Sequence, residues 1–308
     1  MTVVDLRGVV ACVGEPLVCF SSPPGASLAD SLTAEVSEGG AELNVAVHLA
    51  RLGTPVRFVG AVGDDVLGRR LVARLQREHV DTTRLQVRNG ERTGAYVKDW
   101  SGERRDVVYL RAGTATSRLS QLPPDALAGV SHLHVSGITA SLSEDCLALV
   151  DALTGETRSY TVSFDVNHRE KLWERGDADA LLRGIAQRAD LVLVGLDEAQ
   201  RLWGVTTADD VHDVLPNVPE LVVKDDARDA TVWSGRDRVT LAPDVVRVVE
   251  VVGAGDAFAA GYLYARGNGA PPRVALAAGH RLARNALLAT DDLGEPVPAQ
   301  EMRALLQA

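Results

Sequence analysis

Lysine is nearly missing from this chain. Only Lys98, Lys171 and Lys224 occur among 308 residues, so arginine carries almost all of the positive charge. Lys224 is therefore worth following. Cysteine is sparse too: Cys12, Cys19 and Cys146 make an odd count with no C-x-x-C spacing. That argues against a disulfide framework or a structural zinc site and makes a reducing cytoplasm the expected setting. There is no basic tail or block to offset a formal net charge of −10, which argues against nonspecific binding to nucleic acid or to an anionic membrane. A local basic pocket for a phosphorylated ligand stays open. No apolar run approaches a membrane span. The short apolar stretch after Met1 is broken by Asp5 and Arg7, so no signal peptide is expected.

What is present is ordinary globular material, 46% hydrophobic and 24% charged. The length suits one large α/β domain or one domain with a small appendage. Short apolar runs at 9–13, 56–62, 132–136, 160–166, 191–194 and 220–223 read as buried strands. They alternate with helical patterns through Arg51, over 67–78, 178–188, 197–203 and 207–215, and from Asp256 and Arg273. Ser141-x-x-Glu144 reads as a capping box that opens a helix to Leu153. Further strands are expected at 231–233, 239–241 and 245–251. The alternation implies a mostly parallel, doubly wound sheet.

One region breaks the rhythm. Residues 93–111 alternate polar and apolar around a turn at Asp99-Trp100-Ser101-Gly102, as a hairpin with one wet face does. With strands near 17–20 and 33–37 it makes a candidate lid, over about 15–37 and 91–112.

Sites in doubly wound sheets gather at the carboxyl ends of strands. Four polar clusters are expected there: Gly39 to Asn44, Asp165 to Arg169, Lys224 to Asp229, and Gly253-Ala254-Gly255-Asp256. The last closes an apolar run and opens a helix. Its small residues allow a tight turn, and a helix N-terminus presents free N–H groups to an anion. An acid beside bound phosphate is awkward unless its task is to take a proton from an attacking nucleophile. On this stretch alone, a turn capped by Asp256 is an equal reading. Asn44 likewise reads as a helix-start hydrogen bonder, Tyr96 and Tyr109 as a packed cross-strand pair, and Arg111 and Arg169 as surface ion pairs. The acids Asp64 and Asp65 read as helix-start residues.

Gly39-Gly40-Ala41-Glu42-Leu43-Asn44-Val45-Ala46, Val62-Gly63-Asp64-Asp65-x-x-Gly68 and Gly253-Ala254-Gly255-Asp256 occur together in order. In this set the chain resembles the ribokinase-like (PfkB) carbohydrate kinases along nearly its whole length. Gly14-Glu15-Pro16-Leu17, Thr93-Gly94-x-Tyr96 with Tyr109-x-Arg111, His134-x-Ser136-Gly137-Ile138 and Phe164-Asp165-x-Asn167-x-Arg169 resemble the 2-keto-3-deoxygluconate kinases most. The resemblance implies one ribokinase-like domain over 1–308 with a small β lid, and ATP- and Mg²⁺-dependent phosphorylation of a sugar hydroxyl. It gives Asp256 the role of base and the amides of Gly253, Ala254 and Gly255 that of an anion hole. Gly40, Asn44, Tyr96, Tyr109, Arg111, Arg169 and Asp292 would meet the sugar or sugar acid. Asp165, Asn167, Lys224, Asp226, Asp229, Gly253 and Gly255 would lie on the ATP side. No particular residues are assigned to the metal. A homodimer or higher oligomer paired through the lid is also implied. A kinase for a neutral sugar or nucleoside, and a non-catalytic sugar-binding relative, are the alternatives.

Two segments depart from the pattern of the family. Asp226 and Asp229 stand at the usual glycines of Lys-x-Gly-x-x-Gly, adding acids near the phosphates that Arg228 would partly offset. Glu250-Val251-Val252 replaces Asp-Thr-Thr and loses two hydroxyls.

Overall fold

Valine-rich runs with no polar face become strands covered on both sides. In the computed structural model, which describes residues 3–101, 106–173 and 176–307, the first strands are β1 (Val9–Val13), β2 (Leu17–Ser21), β3 (Glu35–Gly39), β4 (Val56–Gly63), β5 (Leu85–Arg88), β6 (Gly94–Asp99) and β7 (Asp106–Leu110). They are followed by β8 (Val130–Ser136), β9 (Thr161–Asp165), β10 (Leu191–Gly195), β11 (Glu220–Asp225), β12 (Asp229–Ser234) and β13 (Asp237–Leu241). The helices are α1 (Ala41–Arg51), α2 (Val66–Arg77), α3 (Gly137–Ser141), α4 (Glu144–Leu153), α5 (Ala178–Ala186), α6 (Leu196–Trp203), α7 (Ala208–Val214), α8 (Ala254–Gly267), α9 (Pro272–Leu287) and α10 (Ala299–Gln307).

Nine strands form one sheet in the order β13-β12-β11-β10-β9-β8-β1-β4-β5. It is parallel from β5 to β11, and only β12 and β13 run antiparallel at one edge. Strand alternation divides the core. Leu191 and Leu193 face the layer of α1, α8 and α9, whereas Val192 and Val194 face α4 to α7. Each fully buried leucine or valine contributes about 1.5–3 kcal/mol of transfer free energy. The two apolar layers thus hold the carboxyl ends of β9, β10 and β11 at one level.

The second sheet is the lid, in the order β3-β2-β6-β7. Tyr96 pairs with Tyr109, and Lys98 with Val107, which puts these four on the face toward the main sheet. Val97 and Val108 consequently point the other way.

Several expectations change. Ser141 does not cap α4: it ends α3 and its hydroxyl donates to the Ile138 carbonyl at 2.6 Å. Ser143, in an extended conformation, is the cap and accepts from the Cys146 N–H at 3.0 Å. Residues 245–251 form no strand. The amides of Val249 and Glu250 both turn to the Leu287 carbonyl at the end of α9, and Val245, Val248 and Val251 are exposed. The apolar run therefore reaches the Gly-Ala-Gly turn as an irregular segment. Asp65 is the N-cap of α2, accepting from Gly68 N–H at 2.7 Å, while Asp64 pairs with Arg69 at the surface. Gly102 of the lid turn lies outside the described residues.

Candidate active site

Asp256 lies in the first turn of α8, and everything around it can be built from the way that helix starts. Its N-cap, Gly253, has φ of +86°, and a Cβ there would stand 2.1 Å from the Asp292 carbonyl oxygen. Only glycine allows the chain to pass so close and turn into the helix. Gly253 and Gly255 line a cavity of about 380 Å³ between the lid and the strand ends, while the Ala254 N–H donates to the Val251 carbonyl at 3.3 Å.

The Asp256 carboxylate accepts from Asn44 Nδ2 at 2.8 Å and from Asn167 Nδ2 at 3.4 Å. Asn44 is held by α1, which the buried Glu42 pins to β8: Glu42 accepts from Ser136 N–H at 2.9 Å, Ser136 Oγ at 2.6 Å and Thr139 Oγ1 at 2.8 Å. Asn167 follows β9 in a left-handed conformation, φ +39°. The side-chain carbonyl oxygens of Asn44 and Asn167 are both buried without a hydrogen-bond partner. Such orphaned acceptors beside a carboxylate suit hydroxyl donors. Burial is the main force pushing the Asp256 pKa up to about 8; Asp165 and Asp292 add to it, while Asn44 and Lys224 oppose it.

The strand ends supply charge of both signs. Lys224 reaches from β11 to Asp165 on β9, with Nζ 3.0 Å from Oδ2. The same ammonium lies 3.6 Å from where a Cβ of Gly255 would be, so it borders the turn. Burial works against the charge of Lys224, yet Asp165 and Glu198 carry its pKa above the ordinary lysine value. Glu198, on α6, is raised to about 7 by burial and by Asp165. Arg169 pairs loosely with Glu198 at 3.4 Å, with its side chain about half exposed.

The lid supplies the roof. The Tyr96 hydroxyl donates to Asp292 Oδ2 at 2.7 Å, and the Tyr96 and Tyr109 rings stack at 5.9 Å. Arg111 lies over Tyr109 at 5.4 Å and is held by Glu15 through Nε at 2.7 Å. Gly40 lines the same wall at φ +126°, and a Cβ there would meet the Glu15 carbonyl at 2.4 Å.

Gly40, Asn44, Tyr96, Tyr109, Arg111, Asp165, Asn167, Arg169, Lys224, Gly253, Gly255, Asp256 and Asp292 thus converge on one cavity. Asp226 and Asp229 do not line it. Asp226 sits in the turn joining β11 to β12, exposed at φ +48°, and Asp229 opens β12 opposite Asp225. Arg228 pairs with Asp225 through Nε at 2.6 Å, and the charges of Asp226 and Asp229 also act on it. Ala254 forms the turn but also stays off the lining. Glu198, Leu17, Ile138, Val251 and Val252 line the cavity and were not anticipated. Glu198 carried a signal: it stands three residues past the end of a buried strand, as the other polar clusters do. Lys98 carried the same signal of rarity as Lys224.

Among the described residues no group of three or more His, Cys, Asp or Glu is arranged to hold a metal ion. Asp165 and Glu198 face the cavity as a pair of acids, which fits a Mg²⁺ held mainly by phosphate oxygens and water.

Residues 10–295 match the family described as pfkB family carbohydrate kinase. The chain is 31% identical over 260 residues to a 2-dehydro-3-deoxygluconokinase of Bacillus subtilis, covering 81% of this chain and 80% of that protein. It is 30% identical over 274 residues to probable fructokinase-7 of Arabidopsis thaliana, covering 84% and 79%. Among solved structures, an Escherichia coli protein assigned as ribokinase II, in complex with ATP and Mg²⁺, superposes with a TM-score of 0.86 at 22% identity, covering 97% of this chain and 98% of that one. That likeness concerns the fold alone. With a two-layered α/β sheet, a β lid and a match spanning most of its length, the chain belongs to the pfkB family and is a carbohydrate kinase.

Proposed function

We propose that this ATP-dependent sugar kinase acts on 2-keto-3-deoxygluconate or a similar acidic keto-sugar, with Asp256 as the general base. The observation that carries the reading is that Asp256 shares one cavity with the guanidinium groups of Arg111 and Arg169. A planar fork of donors suits a carboxylate, and the loose Arg169–Glu198 pair is one that a substrate carboxylate can displace. Gly40, Asn44, Tyr96, Tyr109 and Asp292 would surround the sugar.

The reaction follows from the arrangement. Asp256 takes the proton of the acceptor hydroxyl, whose oxygen attacks the γ-phosphorus of ATP. The bond to the bridging oxygen breaks, and ADP leaves with its electron pair. Lys224 and the amides of the 253–255 turn face the charge carried on the phosphoryl oxygens. When bound, Mg²⁺ neutralises part of that charge; Asp165 and Glu198 would hold it through water, and Asn167 would orient the base. The lid excludes water, which competes as acceptor.

A panel of sugar acids and neutral sugars in an ADP-release assay tests the reading. The highest kcat/KM is expected for a 2-keto-3-deoxy sugar acid. The similarity to a fructokinase motivates the rival, and fructose outperforming every acid would replace the acidic acceptor by a neutral one.

We also infer a homodimer formed through the lids. Val97 and Val108 pair on the face away from the cavity, and Val36, Val108 and Leu110 are exposed there or at the β3 and β7 edges. Exposed apolar strands at open sheet edges are a surface that a second copy can cover.

A further inference from the structure

The lid carries one ammonium group whose place the reaction as written does not use. Lys98, on β6, is buried with Nζ 2.6 Å from Asp292 Oδ1 and 3.5 Å from Glu250 Oε2. Both acids belong to the walls of the anion turn. Asp292 packs its backbone against Gly253, at the contact that requires glycine there. Glu250 uses its other oxygen, Oε1, to accept from the N–H groups of Val251 at 2.7 Å and Val252 at 3.2 Å. The carboxylates thus bind the turn on one side and the lid on the other. Burial opposes the charge on Lys98, but Asp292 holds its pKa above the ordinary value, so the ammonium persists across the working pH range. A buried cation between two buried acids is costly to leave half-paired, which makes the arrangement close to all-or-none.

We propose that Lys98 is a positioning residue that couples the seating of the lid to the shape of the anion turn. When β6 is seated, its ammonium draws Glu250 and Asp292 together. Residues 251–253 then lie in the one path that brings Gly253 and Gly255 to the cavity wall. When the lid lifts, Lys98 leaves, the two carboxylates repel, and the turn loosens. The proposal rests on the kinase reading for its catalytic consequence, but not for the coupling itself. It also gives Glu250, one of the residues that departs from the family pattern, a physical task.

A second cavity of about 130 Å³, lined by Lys98, Trp100, Glu250, Val251 and Val252, adjoins the ammonium and gives a small amine a way in. Lys98→Ala is therefore expected to lower kcat on the order of 10²-fold, as a misplaced catalytic geometry does, with a much smaller change in KM for ATP. n-Propylammonium, which replaces the deleted atoms, should restore a large part of kcat, and tetramethylammonium at equal ionic strength should not. Independently of turnover, amide hydrogen exchange at Val251 and Val252 in the ligand-free protein should accelerate in the variant and slow again with the amine. Glu250→Gln keeps an acceptor for those amides but loses the charge facing Lys98, and should also accelerate exchange if Lys98→Ala does not fold. Unchanged exchange at 251–252 in a folded variant overturns the coupling. So does a kcat loss that no amine rescues and that only tracks a lower Tm. Absence of turnover by the parent protein on every sugar would count against the kinase reading instead, and the exchange measurement would still decide the coupling.

Discussion

Asp256 is a carboxylate in a place that disfavours its charge, and that is what a base working near neutral pH needs. With its pKa at about 8, kcat/KM is expected to climb with pH and level off above that value. Asp256→Asn should lower kcat by about 10²- to 10⁴-fold in the ADP-release assay and abolish the climb. Stability moves the other way. Because the folded value lies above the ordinary 3.8, the folded chain holds a proton that the unfolded chain has lost between roughly pH 4 and pH 8. That stabilising contribution is full below the ordinary value and is lost as pH rises through about 8. Asp256→Asn, always neutral, should therefore unfold at a higher temperature than the parent at pH 8.5, and at nearly the same temperature at pH 3.5. Calorimetry at the two pH values checks this.

Helix α8 begins where an irregular segment, not a strand, delivers the chain. The 245–250 run is anchored by two amides on the Leu287 carbonyl, and Glu250 then caps the N–H groups of Val251 and Val252. Gly253 alone makes the left-handed step into the helix, against the Asp292 backbone. Gly253→Ala is expected to cost about 2 kcal/mol or more of stability, from a non-glycine residue at positive φ and from the overlap with Asp292. It should also lower kcat more than it raises KM for the sugar, since the turn moves directly and the lid side chains follow only through Asp292. Urea unfolding and steady-state kinetics on one preparation measure both. The lid strands show the same economy: one face of β6 and β7 carries Tyr96, Val107 and Tyr109 to the cavity and Lys98 to the smaller one beside it, and the other is left apolar.

At the scale of the whole molecule, that outer face carries the proposed dimer. The lid meets the body through Tyr96 and Lys98, both on Asp292, and through Glu38 of β3, which pairs with Arg70 and Arg74 of α2, so the roof is tied down at the site and also behind it. If two copies pair through their lids, each lid is steadied from behind as well. Sedimentation equilibrium is expected to show a dimer, and Val108→Glu, which places a charge in the middle of the exposed face, should shift it to monomer with the fold intact. A monomeric parent protein would remove the dimer and leave the catalytic reading untouched. No helix among the described residues is long and apolar enough to cross a membrane.

The architecture was legible in the residues because periodicity reports burial: valine runs became two-sided strands, and the alternating 93–111 stretch became the lid hairpin. The site was legible because strand-end clusters converge in a doubly wound sheet, and Asn44, Asp165, Lys224 and Asp256 do meet. Local chemistry was less reliable. Ser141 and Ser143 are both plausible caps, and only the path out of α3 selects between them. The 245–251 run has a strand's composition, but its amides at Val249 and Glu250 turn to the Leu287 carbonyl at the end of α9. Asp226 and Asp229 fell on motif positions, yet the β11–β12 turn carries them away from the cavity. Lys98, Glu250 and Asp292 lie far apart in the chain, and no spacing announces that they meet. Sequence by itself determined most of the strands and the lid, because those depend on neighbours along the chain. Tertiary structure alone decided which acids face which cations, because a buried charge is settled by whatever long-range packing brings within about 3 Å of it.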